Sequence, residues 1–133
     1  MYLKMQIMEA PTAYLEALRY MDNAKETLKK AGKDDGLYQD KKYVRTASGT
    51  AYNAILIALD EYLQRKEGNK FKKPKSIEDY KGRITNKDKK LLALLISAYH
   101  SLHILGYYYG DTTVKHIING FEDAYSIIEY IKD

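Results

Sequence analysis

The sequence predicts an all-α fold: an up-and-down bundle of four long helices plus one short helix. Three observations predict it. Apolar residues recur at spacings of three and four along most of the 133 residues, the signature of helices with one buried face. Glycines, prolines and capping residues fall between those stretches. No alternating strand run and no Gly-rich phosphate loop interrupts them. A length of 133 residues suits one domain over 1–133, large enough for a core without covalent staples.

Residues 1–11 are ambiguous. Leu3, Met5 and Ile7 alternate as in a short strand, and Pro11 suits a helix start. This stretch reads as an N-terminal arm and not as a signal peptide, so a cytoplasmic address is expected. A first helix from about Thr12 to Ala31 carries Tyr14, Ala17, Leu18, Met21, Ala24, Leu28 and Ala31 on one face, with Gly32 as its C-terminal stop. KDDG then has loop chemistry.

A second helix, from about Tyr38 to Lys66, buries Val44, Ala47, Ala51, Ile55, Ala58, Leu59 and Tyr62. Its ladder Ala47, Ala51, Ala54, Ala58 admits a close neighbour, and Gly49 marks a bend or another close approach. Residues 67–75 form a basic loop containing Pro74. Ser76 and Asp79 then resemble a capping box and open a short helix over Ile77 to about Ile84.

The fourth helix is expected from an Asn86 cap to about Leu105. From Leu91 to Tyr109 it lacks any Asp, Glu, Lys or Arg, although 30% of the chain is charged. A helix apolar nearly all round is either central to a bundle or covered by another subunit. Nineteen uncharged residues are also long enough to cross a bilayer. Ser97, His100, Ser101 and His103 would be costly there, so no membrane role is expected. Gly106 to Asp111 reads as a turn rich in tyrosine. Asp111 or Thr112 caps a fifth helix, whose stripe is Val114, Ile117, Ile118, Phe121, Ala124, Tyr125, Ile128 and Ile131.

Composition excludes some chemistry. With no cysteine, disulfides, thiolate metal sites and cysteine nucleophiles are ruled out. A di-metal bundle needs Glu-x-x-His pairs, and none occurs. No metal and no cofactor is expected. The net charge of +4 is local in origin: residues 64–90 hold eleven Lys/Arg against four Asp/Glu. Within them, Lys70, Lys72, Lys73, Lys75 and Arg83 are candidate phosphate-binding residues, against the plainer reading of a solvated linker. His100, His103, Tyr107, Tyr108, Tyr109 and Asp111 are candidate binding or interface residues. Three consecutive tyrosines cannot all face a core, so some are exposed or covered by a partner.

Two segments, Ala17–Ala24 followed by Leu28, and ASGTAYNAILIALDEYL from Ala47 to Leu63, resemble the first two helices of HEPN-type bundles. With YQDKKYV, SIEDY and GYYYGD, the whole chain resembles a family of small uncharacterised bacterial all-helical proteins. The HEPN resemblance implies a small bundle that dimerises and often accompanies a nucleotidyltransferase. HEPN ribonucleases carry an Arg, four to six intervening residues, then a His; no Arg stands at that distance before any His in this chain. Catalytic residues therefore do not carry over. The leading expectation is a non-catalytic interaction module that homodimerises through the fourth helix and its tyrosines. The alternative is a degenerate HEPN-type protein that handles nucleic acid or nucleotides through residues 64–90, with His100 or His103 as acid–base groups. A third expectation, a small molecule held in the bundle core, rests on the tyrosine and histidine content alone.

Overall fold

Helix α1 spans Thr12–Lys29 and buries Ala17, Met21, Ala24 and Leu28. A computed structural model describes residues 12–133; the expected N-terminal arm lies outside the described residues. The helix stops short of Ala31 because Lys30 and Ala31 donate to the carbonyls of Thr27 and Leu28, which tightens the last turn. Gly32, at φ 70°, then reverses the chain.

A two-stranded hairpin follows, where only a loop was expected. Strand β1 (Lys33–Asp34) pairs antiparallel with β2 (Leu37–Tyr38), placing Lys33 opposite Tyr38. The connection Asp35-Gly36 has φ of 52° and 77°. Two successive positive φ values are what a tight two-residue hairpin turn demands, and Asp-Gly supplies them. The hairpin also closes the far end of the chain: Tyr38 N–H donates to the Thr112 carbonyl at 2.8 Å, and Val114 N–H to the Gly36 carbonyl at 3.0 Å.

Because Tyr38 belongs to the hairpin, α2 begins later than its apolar pattern suggests. It spans Lys41–Glu67, and the Asp40 carboxylate caps it by accepting from the Lys42 N–H at 3.0 Å. All four alanines of the small-residue ladder are buried. Gly68 ends the helix at φ 58° and leads into a single 3₁₀ turn, Gly68–Lys70. Helix α3 is Ile77–Ile84; Ser76 Oγ accepts from the Asp79 N–H, and Asp79 Oδ2 accepts from the Lys75 N–H.

Helix α4, Lys89–Ala98, is capped by Asp88 and not by Asn86. The Lys87 and Asp88 amides both return to the Ile84 carbonyl, so residues 85–87 still belong to the exit from α3. The helix does not end at Leu105. It continues as a π-helical segment over Tyr99–Tyr109, closed by Gly110 in the left-handed conformation. The expected tyrosine turn is therefore helix, and the real turn is residues 110–113. Helix α5 spans Val114–Ile128, with Thr113 rather than Asp111 or Thr112 at its cap position, and passes into a 3₁₀ turn at Glu129–Ile131.

The result is an all-α bundle with one small hairpin. Its hub is α2, which packs against α1, α3, the π segment and α5. Met21, Ile55, Leu59, Leu95, Leu102, Ile117 and Ile128 are among its fully buried side chains. At the core, replacing one such leucine or isoleucine by alanine costs about 2–5 kcal/mol.

Candidate interface of the uncharged helix

The α4–π helix has two unlike sides. Leu91, Leu95, Ala98, Leu102 and Gly106 face the core and are buried. Ala93, Ile96, Ser97 and His100 lie on the other side at spacings of three and four, and all are exposed. Ile96 is 50% exposed, and Tyr107, Tyr108 and Tyr109 are 51%, 64% and 61% exposed. Lys89–Tyr109 is the one helix among the described residues that is long and apolar enough to cross a membrane. Less than a third of its apolar stretch is buried, so of the two expectations for this helix the central, fully enclosed position does not hold.

The π winding organises this segment. A π segment is usually a single turn inside an α-helix, frequently at a functional site; here it runs for eleven residues. Side chains four apart stack along it. Tyr99 and His103 lie 5.0 Å apart at 23°, and His103 and Tyr107 lie 5.7 Å apart at 20°. Tyr52 of α2 backs the ladder, 4.9 Å from His103 and edge-on to Tyr99 at 5.8 Å. Burial, reinforced by nearby Tyr99, pushes the Tyr52 phenol up to about 12. The rung at Tyr107 lies against Gly49, which answers the question that glycine raised: a Cβ there would sit 3.0 Å from the ring.

Close backbone approach fixes the inner side. A Cβ on Gly106 would fall 2.1 Å from Ser48 Oγ, and one on Gly120 of α5 would fall 2.7 Å from Leu102. Ser48 is fully buried and its hydroxyl has no hydrogen-bond partner among the described residues. It is small enough to admit the π segment where a larger side chain would not fit.

His100 and His103 stand one turn apart in sequence, but the structure does not bring them together as a site. His100 faces solvent, while His103 is half-buried within the ladder. Asp111 meets neither of them. Its Oδ2 lies 2.7 Å from His116 Nδ1, and its Oδ1 accepts from the Thr113 N–H at 2.9 Å. Burial alone would raise the Asp111 carboxyl, but the Thr113 N–H and the His116 ring outweigh it and hold the group below its ordinary value. Among the described residues no cluster of three or more His, Asp or Glu is arranged to hold a metal.

The basic segment divides in two. Arg83 is tied inward: Nη1 donates to Glu67 at 2.8 Å, Nη2 to the Lys72 carbonyl, and Nε approaches Asp79 at 3.4 Å. Its guanidinium also lies 5.9 Å from the centre of the Phe71 ring. Lys73 pairs with Asp60, which also accepts from the Tyr80 hydroxyl at 2.6 Å. Burial, followed by that hydrogen bond, drives the Tyr80 phenol well above its ordinary range. Lys70, Lys72 and Lys75 are exposed, and their ammonium groups form no ion pair among the described residues. Sequence reasoning missed the roles of Tyr52, Tyr99 and Ser48. The spacing 99, 103, 107 was visible as a repeat of four, but nothing in the sequence announced the π winding that stacks it.

The family described as "Domain of unknown function (DUF5618)" matches residues 12–133. A solved structure, a protein of unknown function from Dyadobacter fermentans, is similar with a TM-score of 0.81 and 39% identity; the match covers 92% of this chain and 95% of that one. No curated protein matches. The chain belongs to the DUF5618 family.

Proposed function

We propose that this protein is a non-catalytic, cytoplasmic interaction module that pairs with a second copy of itself through the outer face of α4 and the π segment. The observation that carries the reading is the combination of no charge from Leu91 to Tyr109 with an outer side left open to solvent. Two copies related by a two-fold axis present the same patch to each other. The helix brings no charge of its own to such a contact, which keeps like-charge repulsion and desolvation cost small; the Asp123 carboxylate of α5, which accepts from Ser97 Oγ at 2.6 Å, is a charge beside it. Tyrosine suits such a contact, because its ring is apolar and its hydroxyl is satisfied at a wet rim. Ile96 and Ala93 supply the apolar centre, and His100 and the three tyrosines the edge. A stable pair needs about 800 Å² from each partner.

Size-exclusion chromatography with light scattering across a dilution series tests the reading. The expected result is twice the 15.4 kDa chain mass, falling to the single mass only at high dilution. A single mass at every concentration overturns it.

A second reading draws on Lys70, Lys72 and Lys75, whose ammonium groups are exposed and unpaired among the described residues. In it, the protein is a degenerate HEPN-like bundle that holds nucleic acid or nucleotides along residues 64–90. Arg83 and Lys73 contribute less to that reading, being engaged with Glu67, Asp79 and Asp60. Retention of RNA at low salt that falls steeply as salt rises supports it. No retention at low salt removes it.

A further inference from the structure

A groove of about 500 Å³ lies between α1, the hairpin and α5, away from the residues of the proposed interface. Its apolar surface comes from Leu28, Phe121, Ile118 and Tyr125. Lys25 and Lys29 of α1 and Lys33 of the hairpin line it, against one lining carboxylate, Glu122. Volumes of this order accommodate a small organic ligand.

Two details give the groove a polar focus. Tyr38 is only 5% exposed and lines the groove, and its hydroxyl has no hydrogen-bond partner among the described residues. The ring is buried but the oxygen is not sealed off, so the hydroxyl is open to donate to a ligand. The hairpin register then sets Lys33 directly opposite Tyr38, so both side chains leave the same face of the ribbon. A lysine and a tyrosine thus start from neighbouring positions on one face of the ribbon and both line the apolar groove. Neither Lys25 nor Lys33 has an ion-pair partner among the described residues; Lys25 lies 5.9 Å from the centre of the Tyr125 ring. Lys29 is held only by an exposed pair with Glu26 at 3.2 Å, the kind of contact that yields easily to a competing anion.

We infer that this groove binds an amphipathic carboxylate: an acyl or aryl chain laid on Leu28, Phe121, Ile118 and Tyr125, its carboxylate taken by the Tyr38 hydroxyl and the lysines led by Lys33. Burial holds the Tyr38 phenol above its ordinary range, so it stays protonated and donates at neutral pH. The apolar body supplies affinity through removed surface, and the two donors select a carboxylate over an alcohol of equal length.

Titration of the full chain with decanoate, followed by amide and methyl NMR shifts, tests the inference. Decanoate is expected to bind saturably, with shifts concentrated at Lys33, Tyr38, Ile118 and Phe121. Decanol, equal in chain length but uncharged, is expected to bind about tenfold more weakly, as for loss of a charge-assisted hydrogen bond. Tyr38→Phe keeps the ring and the hairpin packing, and Lys33→Ala alters only an exposed side chain; each is expected to weaken decanoate severalfold and leave decanol unchanged. Equal binding of decanol and decanoate, shifts centred on the tyrosine face of the π segment, or no saturable shift each overturns it. So does a decanoate affinity that survives both substitutions together.

Discussion

Residues 64–90 and residues 91–109 adjoin in sequence and are held in place by different forces. The first stretch is dense in charge, and part of that charge is consumed by its own fold: Arg83 gathers Glu67, Asp79 and the Lys72 carbonyl, and Asp60 gathers Lys73 and Tyr80. The second has no charge at all and is held by stacked rings and by glycines that let backbones approach. The comparison teaches that a basic run is not by itself a binding surface, because ion pairs with nearby carboxylates are the cheaper explanation of part of it. An uncharged run, by contrast, has no ion pairs with which to occupy its outer side, and here that side is open.

The largest expected effect breaks the second region. Gly106→Val puts a side chain where only 2.1 Å separates a Cβ from Ser48 Oγ. Overpacking of this kind costs about 3 kcal/mol, and the loss should not depend on salt, since it is steric. Urea unfolding followed by circular dichroism measures it, and Ser48→Gly in the same chain should restore part of the loss. A Gly106→Val variant as stable as the parent would show that the close approach is not what seats the π segment.

The next effect belongs to the first region. Arg83→Ala removes hydrogen bonds to two carboxylates and a carbonyl, and about 2 kcal/mol should be lost at low salt, less at high salt. The same pairing sets a pH dependence. The Asp79 carboxyl is held below its ordinary 3.8 by the Arg83 hydrogen bond and then by the Lys75 N–H. Its folded value is depressed, so its contribution is present above 3.8 and is lost as pH falls through the lower folded value. Arg83→Ala should therefore flatten the acid arm of the stability curve. An unchanged acid arm would separate Asp79 from the network.

Smaller effects sharpen the ladder. His103→Ala removes the middle rung and should cost about 1–2 kcal/mol, while His103→Phe, which keeps a ring between Tyr99 and Tyr107, should cost less than half as much. Thermal unfolding of the two variants distinguishes a stacked rung from a hydrogen-bonding histidine. Ultraviolet titration reads the same place. Tyr52 should ionise only near about 12, and Tyr52→Phe should delete that late step. Because the folded phenol lies above its unfolded value of 10.0, the proton it keeps favours the fold below 10.0, and that advantage drains away as pH rises toward about 12.

Much of the fold was legible in the sequence, because apolar spacing and caps are local signals. Ile77–Ile84 and its Ser76 cap could be read directly, as could the buried stripe of α2. What escaped was set by tertiary contact. The hairpin at Lys33–Tyr38 has strands of two residues, too short for alternation to register. It displaced the start of α2 by taking Tyr38. The π segment from Tyr99 seats Gly106 and Tyr107 closely against Ser48 and Gly49 of another helix, a contact that no pattern within residues 99–109 could reveal. For the same reason the sequence left open which candidates meet: Asp111 could reach His100 or His103 only through the tertiary fold, and the fold gives it His116 instead.

Sedimentation velocity on two single variants tests the central claim most directly, that the uncharged face is where this protein meets a second copy. Ile96→Glu places a charge at the exposed centre of that face, and Lys72→Glu reverses one on the basic loop. Ile96→Glu is expected to shift the protein to the single-chain species at concentrations where the parent and Lys72→Glu remain paired. An Ile96→Glu protein that sediments like the parent, or a Lys72→Glu protein that alone comes apart, would contradict it.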